Sequence, residues 1–228
     1  YSWYASISSA IILENTENKK RATSFLIKEF NKIKNPNFEN YYEIANFFKD
    51  NENFEKSVEY YSLALDNIKK DHPLVPKILE RRGTSLERLG EWERAEIDLL
   101  QSLQLLPDQP YVLNYLAYSW VDKKINISKS LEMLIKANEL RKNDGYIIDS
   151  LGWAYYMDKN YIEAEKFLQR AVEIMPSDPI INDHYADVLW MLKKNMQARY
   201  FWKHVLSLKK AKKELKDEVE KKIIFGIM

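Results

Sequence analysis

Four side chains between Tyr146 and Tyr156 fall on one line: Tyr146, Asp149, Trp153 and Tyr156, at steps of 3, 4 and 3. Such steps put side chains on one face of an α-helix. Phenols, an indole and a carboxylate on one face offer flat apolar area with hydrogen-bonding rims, the chemistry of an anchor for another molecule. The same steps recur upstream as Tyr111, Asn114, Tyr118 and Val121, and downstream as Ile180, Asp183, Asp187 and Trp190.

Bond-making chemistry has much less support. The chain has no cysteine, which excludes disulfides, thiolate metal sites and a cysteine nucleophile. Its three histidines, His72, His184 and His204, have no second histidine at helical spacing, so no zinc motif forms. His184 has Asp183 and Asp187 close by in sequence, too few ligands for a metal, and reads as a solvated or hydrogen-bonded histidine. Glu163 and Glu165 read as ordinary charged-face residues. No phosphate-binding glycine loop, nucleophile elbow or kinase signature occurs. The sequence therefore points away from an enzyme, with no catalytic residue, no metal and no cofactor expected.

Composition sets the frame. Of 228 residues, 46% are hydrophobic and 30% charged, a globular balance with ample core for one large domain or two small ones. A formal net charge of +1 gives no electrostatic signature for nucleic acid or anionic lipid. Five glycines and seven prolines are few for a sheet with many tight turns and suit helices. The first residue is Tyr1, not Met, so a signal or lipid anchor is expected to lie upstream if the protein has one. The apolar run "ASISSAIIL" is about half the length needed to cross a bilayer, and no direct membrane span is expected.

The stripes need a scaffold that repeats them. Gly83, Ala117, Gly152 and Ala186 are separated by 34, 35 and 34 residues, and Ala95, Ser130, Ala164 and Ala198 by 35, 34 and 34. Ser102, Ala137, Ala171 and Val205 repeat the second track. One additional residue accounts for each 35 and is placed most simply in the turn "DKKINIS" around Asn126. Ala45, Ser57 and Ala64 extend the tracks backwards at 38 residues, with the extra length near "DHPLV". Within a unit, Ile148, Leu151, Gly152 and Tyr155 form one helix face, and Ala164, Phe167, Leu168, Ala171 and Val172 form a second after the break "MDKNY". Asp178 reads as an N-cap with Pro179 at the first helical position.

The residues Leu151, Gly152, Tyr155, Tyr161, Ala164, Leu168, Ala171 and Pro176 resemble the tetratricopeptide repeat family. Gly83, Leu86, Trp92, Ala95, Leu99, Ser102 and Pro107 are their counterparts in an earlier unit, where Arg82 departs from the pattern by standing in the place of Leu151. The resemblance implies an all-α, right-handed solenoid of antiparallel helix pairs. The expected units are a weakly patterned 3–36, a fair 38–71, then 76–109, 110–144, 145–178 and 179–208, followed by a capping helix over 209–224, all in one solenoid over 1–228. It also implies that Gly152 and Ala164 are small because the two helices of a unit cross there, and that Ala171 is small because the next first helix packs on it. The later units are similar to the C-terminal repeats of a proteobacterial tetratricopeptide group whose members are often exported or lipid-anchored. That favours the periplasmic side of a bacterial envelope, with the cytoplasm as the alternative.

On this resemblance the first helix of each unit lines a concave groove. The residues expected to bind a protein or peptide there are Tyr111, Asn114, Tyr118, Tyr146, Asp149, Trp153, Tyr156, Asp183, Asp187 and Trp190. The competing reading is that tight curvature buries these aromatics between neighbouring units. Earlier first helices carry a mixed charged stripe of Lys77, Glu80, Thr84, Glu87 and Arg88, less like an anchor. Some family members clamp a terminal carboxylate, and the aspartates here would repel one. The leading function is a non-catalytic adaptor or scaffold. The alternative is a structural subunit of a larger assembly or homo-oligomer, using its convex face or terminal helices. The segment from Trp202 to Met228 carries eight lysines and four acids up to Lys222, with Leu206, Leu208, Leu215 and Val219 among its apolar residues. It reads as an amphipathic cap, with a basic surface for membrane or RNA as the sharper alternative. Its ending, "IIFGIM", is expected to dock on the solenoid or on a partner.

Overall fold

The computed structural model describes residues 3–16 and 18–227. Tyr1, and Met228 of the apolar ending, lie outside them. The described residues form thirteen helices and no strand. Two compact units divide the chain, Tyr1–Pro107 and Asp108–Met228.

The first unit holds three antiparallel pairs: α1 (Trp3–Thr16) with α2 (Lys19–Phe30), α3 (Phe38–Asp50) with α4 (Phe54–Asn67), and α5 (Val75–Arg88) with α6 (Trp92–Leu105). The second holds α7 (Pro110–Asp122) with α8 (Ile127–Leu140), α9 (Gly145–Met157) with α10 (Tyr161–Ile174), and α11 (Pro179–Met191) with α12 (Asn195–Ser207). A last helix, α13 (Lys213–Phe225), follows α12 and packs on it. Each unit is an all-α stack of helix pairs, the tetratricopeptide type of solenoid.

Local chemistry starts the helices. Asn37, Asn53, Asn160 and Asp178 each cap a helix by accepting from its first backbone N–H groups. Asp178 Oδ1 takes Ile180 N at 3.0 Å and Ile181 N at 3.2 Å, with Pro179 beginning the helix. The turns inside four pairs have three residues, the middle one left-handed: Glu52, Gly90, Lys159 and Lys193. The α7–α8 turn has four, Lys123 to Asn126, with Lys124 and Asn126 both left-handed. The connection before α5 runs from Ile68 to Leu74, longer than the four residues before α9 or α11.

Small residues mark close approach. A Cβ on Gly152 would lie 2.6 Å from Leu168 Cγ and 3.1 Å from Leu168 N, so α9 and α10 touch there with no room for a methyl. Ala171 is fully buried between Ile148 of α9 and Ile181 of α11. Ala164 joins Ala186, Leu189 and Ala198 in the core that also buries Trp202 and Val205. Fully burying one such large apolar side chain contributes about 1.5–3 kcal/mol, so these runs of contacts are what hold the pairs together.

The first unit uses more polar joints. Ser57 and Ser85 hydrogen-bond at 3.0 Å in the core, and Ser102 Oγ donates to Pro76 O at 2.8 Å. Arg82, which departs from the apolar pattern, is a bidentate donor to Asp98 at 2.7 and 2.8 Å and also donates to Ser62. Two periods on, the places of Arg82 and Asp98 are held by Leu151 and Phe167, which meet in an apolar cluster. The departure is therefore a matched exchange of a hydrophobic contact for an ion pair.

Candidate functional site

The stripe residues of the second unit sit on α7, α9 and α11, and α9 touches both of the other first helices. Each stripe begins one residue into its helix. Tyr111, Tyr146 and Ile180 occupy that equivalent position and are 57%, 57% and 44% exposed. Arg141 lies over the Tyr111 ring. One turn deeper the environment closes. Asn114 is half-buried, with its amide oxygen sealed from solvent and lacking a hydrogen-bond partner. Tyr118 is half-buried too; burial, and then the nearby charges of Asp149 and Asp122, push its phenol up to about 12.

The expectation of an open acidic stripe is corrected here. Asp149, Asp183 and Asp187 are all buried, and Val121 is in the core. Two contacts cause this: the first helices lie against each other, and Lys222 of α13 reaches α11. Asp149 of α9 faces His184 of α11, whose Nδ1 is 3.0 and 3.1 Å from the two carboxylate oxygens. Burial pushes the imidazole down, but the Asp149 charge and hydrogen bond, followed by Asp183 and Asp187, outweigh it and hold the pKa above its ordinary value.

Above that pair is a ring stack. Trp153 lies flat on His184 at 4.0 Å between centroids, and Tyr156 flat on Trp153 at 4.6 Å. Tyr156 is half-buried, and its phenol is raised by burial first and then by Asp187, Tyr161 and Asp183. Trp153 and Trp190 are half-buried, intermediate between the open and the enclosed expectations.

At the far end the chain supplies its own contacts. Lys222 Nζ lies 2.8–2.9 Å from both oxygens of Asp183 and both of Asp187. Trp202 Nε1 donates to Asp187 Oδ1 at 3.0 Å. Burial, then the Asp183 charge, pushes Asp187 up to about 6, against the opposing pull of Lys222 and Trp202. Arg199 sits over the Trp190 ring at 5.0 Å and donates from Nε to Ile223 O at 3.1 Å. Ile223 and Ile227 of the apolar ending pack on the core beside Trp190, whereas Ile224 and Phe225 face solvent.

The structure thus joins Asp149, Trp153 and Tyr156 through His184, and joins Asp183 and Asp187 through Lys222. His184, Lys222 and Trp202 are absent from the residues expected to bind. The signal available for His184 was its place next to Asp183, which lies one repeat after Asp149. Among the described residues no group of three or more His, Cys, Asp or Glu could hold a metal ion, and no helix is long and apolar enough to cross a membrane.

Comparison with known proteins agrees with the geometry. Tetratricopeptide repeat family profiles match residues 38–71 and 146–178. A tetratricopeptide repeat-containing protein of Pseudomonas aeruginosa is 28% identical over 111 residues, 49% of this chain and 19% of that protein. The chain therefore spans about a fifth of the length of this curated relative. A tetratricopeptide repeat protein from Parabacteroides merdae superposes with a TM-score of 0.77 at 20% identity, over 98% of this chain and 87% of the other. MamA from Desulfovibrio magneticus gives a TM-score of 0.66 at 19% identity, over 77% and 97%. At those identities the two structures speak to the fold alone, and this fold supports an adaptor or scaffold role in protein interaction. With repeat tracks, helix pairs, close glycine crossing and both profile matches in agreement, the chain carries tetratricopeptide repeats.

Proposed function

We propose that this protein is a non-catalytic adaptor that holds a segment of a partner protein in the groove of its second unit, along the stripes of α7, α9 and α11. The observation that carries the reading is the exposed row of Tyr111, Tyr146 and Ile180, one per helix at equivalent positions. Large aromatic side chains left in water in a regular row serve as anchors rather than as core. Further along α9 on the same stripe, the stacked Tyr156, Trp153 and His184 give a rigid surface, which lowers the ordering cost of binding. Tyr118 and Asn114 extend the same face.

The test is an affinity pull-down with mass spectrometry, comparing the native chain with Tyr111→Ser/Tyr146→Ser. Both side chains are exposed, so the variant keeps its fold, as circular dichroism verifies. Loss of a dominant partner is expected, since removing one interface aromatic weakens binding by about 1–2 kcal/mol or more. An unchanged partner set counts against the groove. The terminal-helix reading would then lead, because Ile224 and Phe225 of α13 stand exposed.

A further inference from the structure

Asp183 and Asp187 stand one turn apart on α11, both buried, and both receive the ammonium of Lys222. Four residues further on, Gly226 lies on the indole of Trp190 with a φ of 77°, and a Cβ there would be 2.1 Å from the ring. An ammonium between two carboxylates and a bare backbone on an indole are two adjoining contacts, made to the last of the three stripes. The segment that makes them is the C-terminal end of α13 and its cap, on a helix whose backbone packs against α12.

The hold is specific more than strong. Desolvating two carboxylates and an ammonium offsets most of their attraction, so such a cluster adds little net stability. Leaving the carboxylates without a cation is costly, so the site selects for one. Elsewhere α13 is held by one narrow apolar row: Val219 is fully buried, Leu215 and Ile223 pack on the same core, and Ile224 and Phe225 face solvent. It begins at Lys213, its N-cap residue Lys212 makes no side-chain cap, and Lys212, Lys213 and Lys216 crowd the positive end of the helix dipole against the single acid Glu214 in the first turn.

We propose that α13 is a releasable latch on the groove, and that a lysine-bearing helical segment of the partner takes its seat on Asp183, Asp187 and Trp190 when it lifts. This rests on the groove reading above and adds the chemistry of the ligand: a lysine, then a glycine or comparably small residue one turn later. The occupant is argued from α13 itself, which already shows the seat filled, and from the charge of the two aspartates.

Two measurements test it. Hydrogen exchange on the full native chain should show α13 amides exchanging about ten-fold or more faster than those of α11 and α12, because the latch opens without them. Exchange in step with α11 and α12 would mean that α13 is a fixed part of the core, and the proposal fails. In the second, the probe is a fluorescent peptide of residues 212–227, added to the native chain and to full-length Lys222→Gln/Gly226→Leu, whose tail is ejected. Binding to the variant should be about ten-fold or more tighter, since the native tail competes at high effective concentration. A peptide carrying Gln in place of its lysine should lose that binding. Equal binding to both chains, or no dependence on the lysine, overturns the proposal; a variant that does not fold leaves hydrogen exchange on the native chain to decide. Neither readout uses a cellular partner. If they fail while the tyrosine variant still loses its partner, the latch is wrong and the groove stands. If the tyrosine variant keeps its partner, the latch falls with the groove reading as a partner seat.

Discussion

Arg82 shows how a single residue can leave the repeat pattern without breaking the fold. Its guanidinium is 22% exposed and its partner carboxylate on Asp98 is 4% exposed, so the acid depends on the arginine far more than the reverse. Arg82→Leu should destabilise the protein by about 3 kcal/mol, because it strands a buried charge. Arg82→Leu/Asp98→Phe, which copies the Leu151–Phe167 contact of the later repeat, should return to within about 1 kcal/mol of the native chain. Denaturant midpoints at neutral pH check both; equal losses in the single and double variants would refute the pairing. His184 makes a pH-dependent contribution. Its folded pKa is raised above the unfolded value of 6.5, so the folded state holds that proton to higher pH. The contribution is complete below 6.5 and is lost as pH rises through the folded value. Asp187 acts in a lower window: its folded carboxyl is raised to about 6 from 3.8, so its contribution is lost as pH rises through about 6. Unfolding free energy should therefore fall from pH 6.5 upward, and His184→Gln should flatten that part of the profile. A native profile that rises there would contradict the Asp149–His184 pairing.

At the scale of the element, the crossing of α9 and α10 sets the strictest limit. Gly152→Ala gains about 1 kcal/mol of helix propensity. Its methyl would meet Leu168 at 2.6 Å, including backbone at 3.1 Å, and overpacking of that kind costs about 1–3 kcal/mol. A lower melting temperature is expected; a higher one would mean that the helices part easily. The fold class was legible because those crossings recur at a near-constant period, and several tracks of small residues share it. The candidate site was less legible for a physical reason. Spacing says which residues share a helix face, not what lies over it. Spacing alone leaves Asp149, Asp183 and Asp187 open, whereas a neighbouring helix and Lys222 of α13 enclose them. Lys222 and Gly226 belong to a tail outside the period, so no repeat could align them with α11. His184 reads from sequence as a solvated or hydrogen-bonded histidine, but it sits one position beyond the Asp183 that aligns with Asp149, so the repeat does not name Asp149 as its partner.

At the scale of the whole molecule, each unit has cores of its own, built between neighbouring pairs. Stability of such stacks is close to a sum over repeats and their nearest interfaces. Residues 108–228, expressed alone, should show a helical spectrum and a cooperative thermal transition. A broad, featureless melt would show that this core does not suffice. The hairpin turns bear on the same sum. Glu52, Lys124, Asn126, Lys159 and Lys193 are left-handed without being glycine, and a side chain held there costs roughly 1 kcal/mol. Among the described left-handed positions in these turns, Gly90 avoids that penalty. The protein thus keeps unused thermal headroom, spread over four hairpins at solvent-facing tips, where an engineer could reclaim it without touching either the core or the groove.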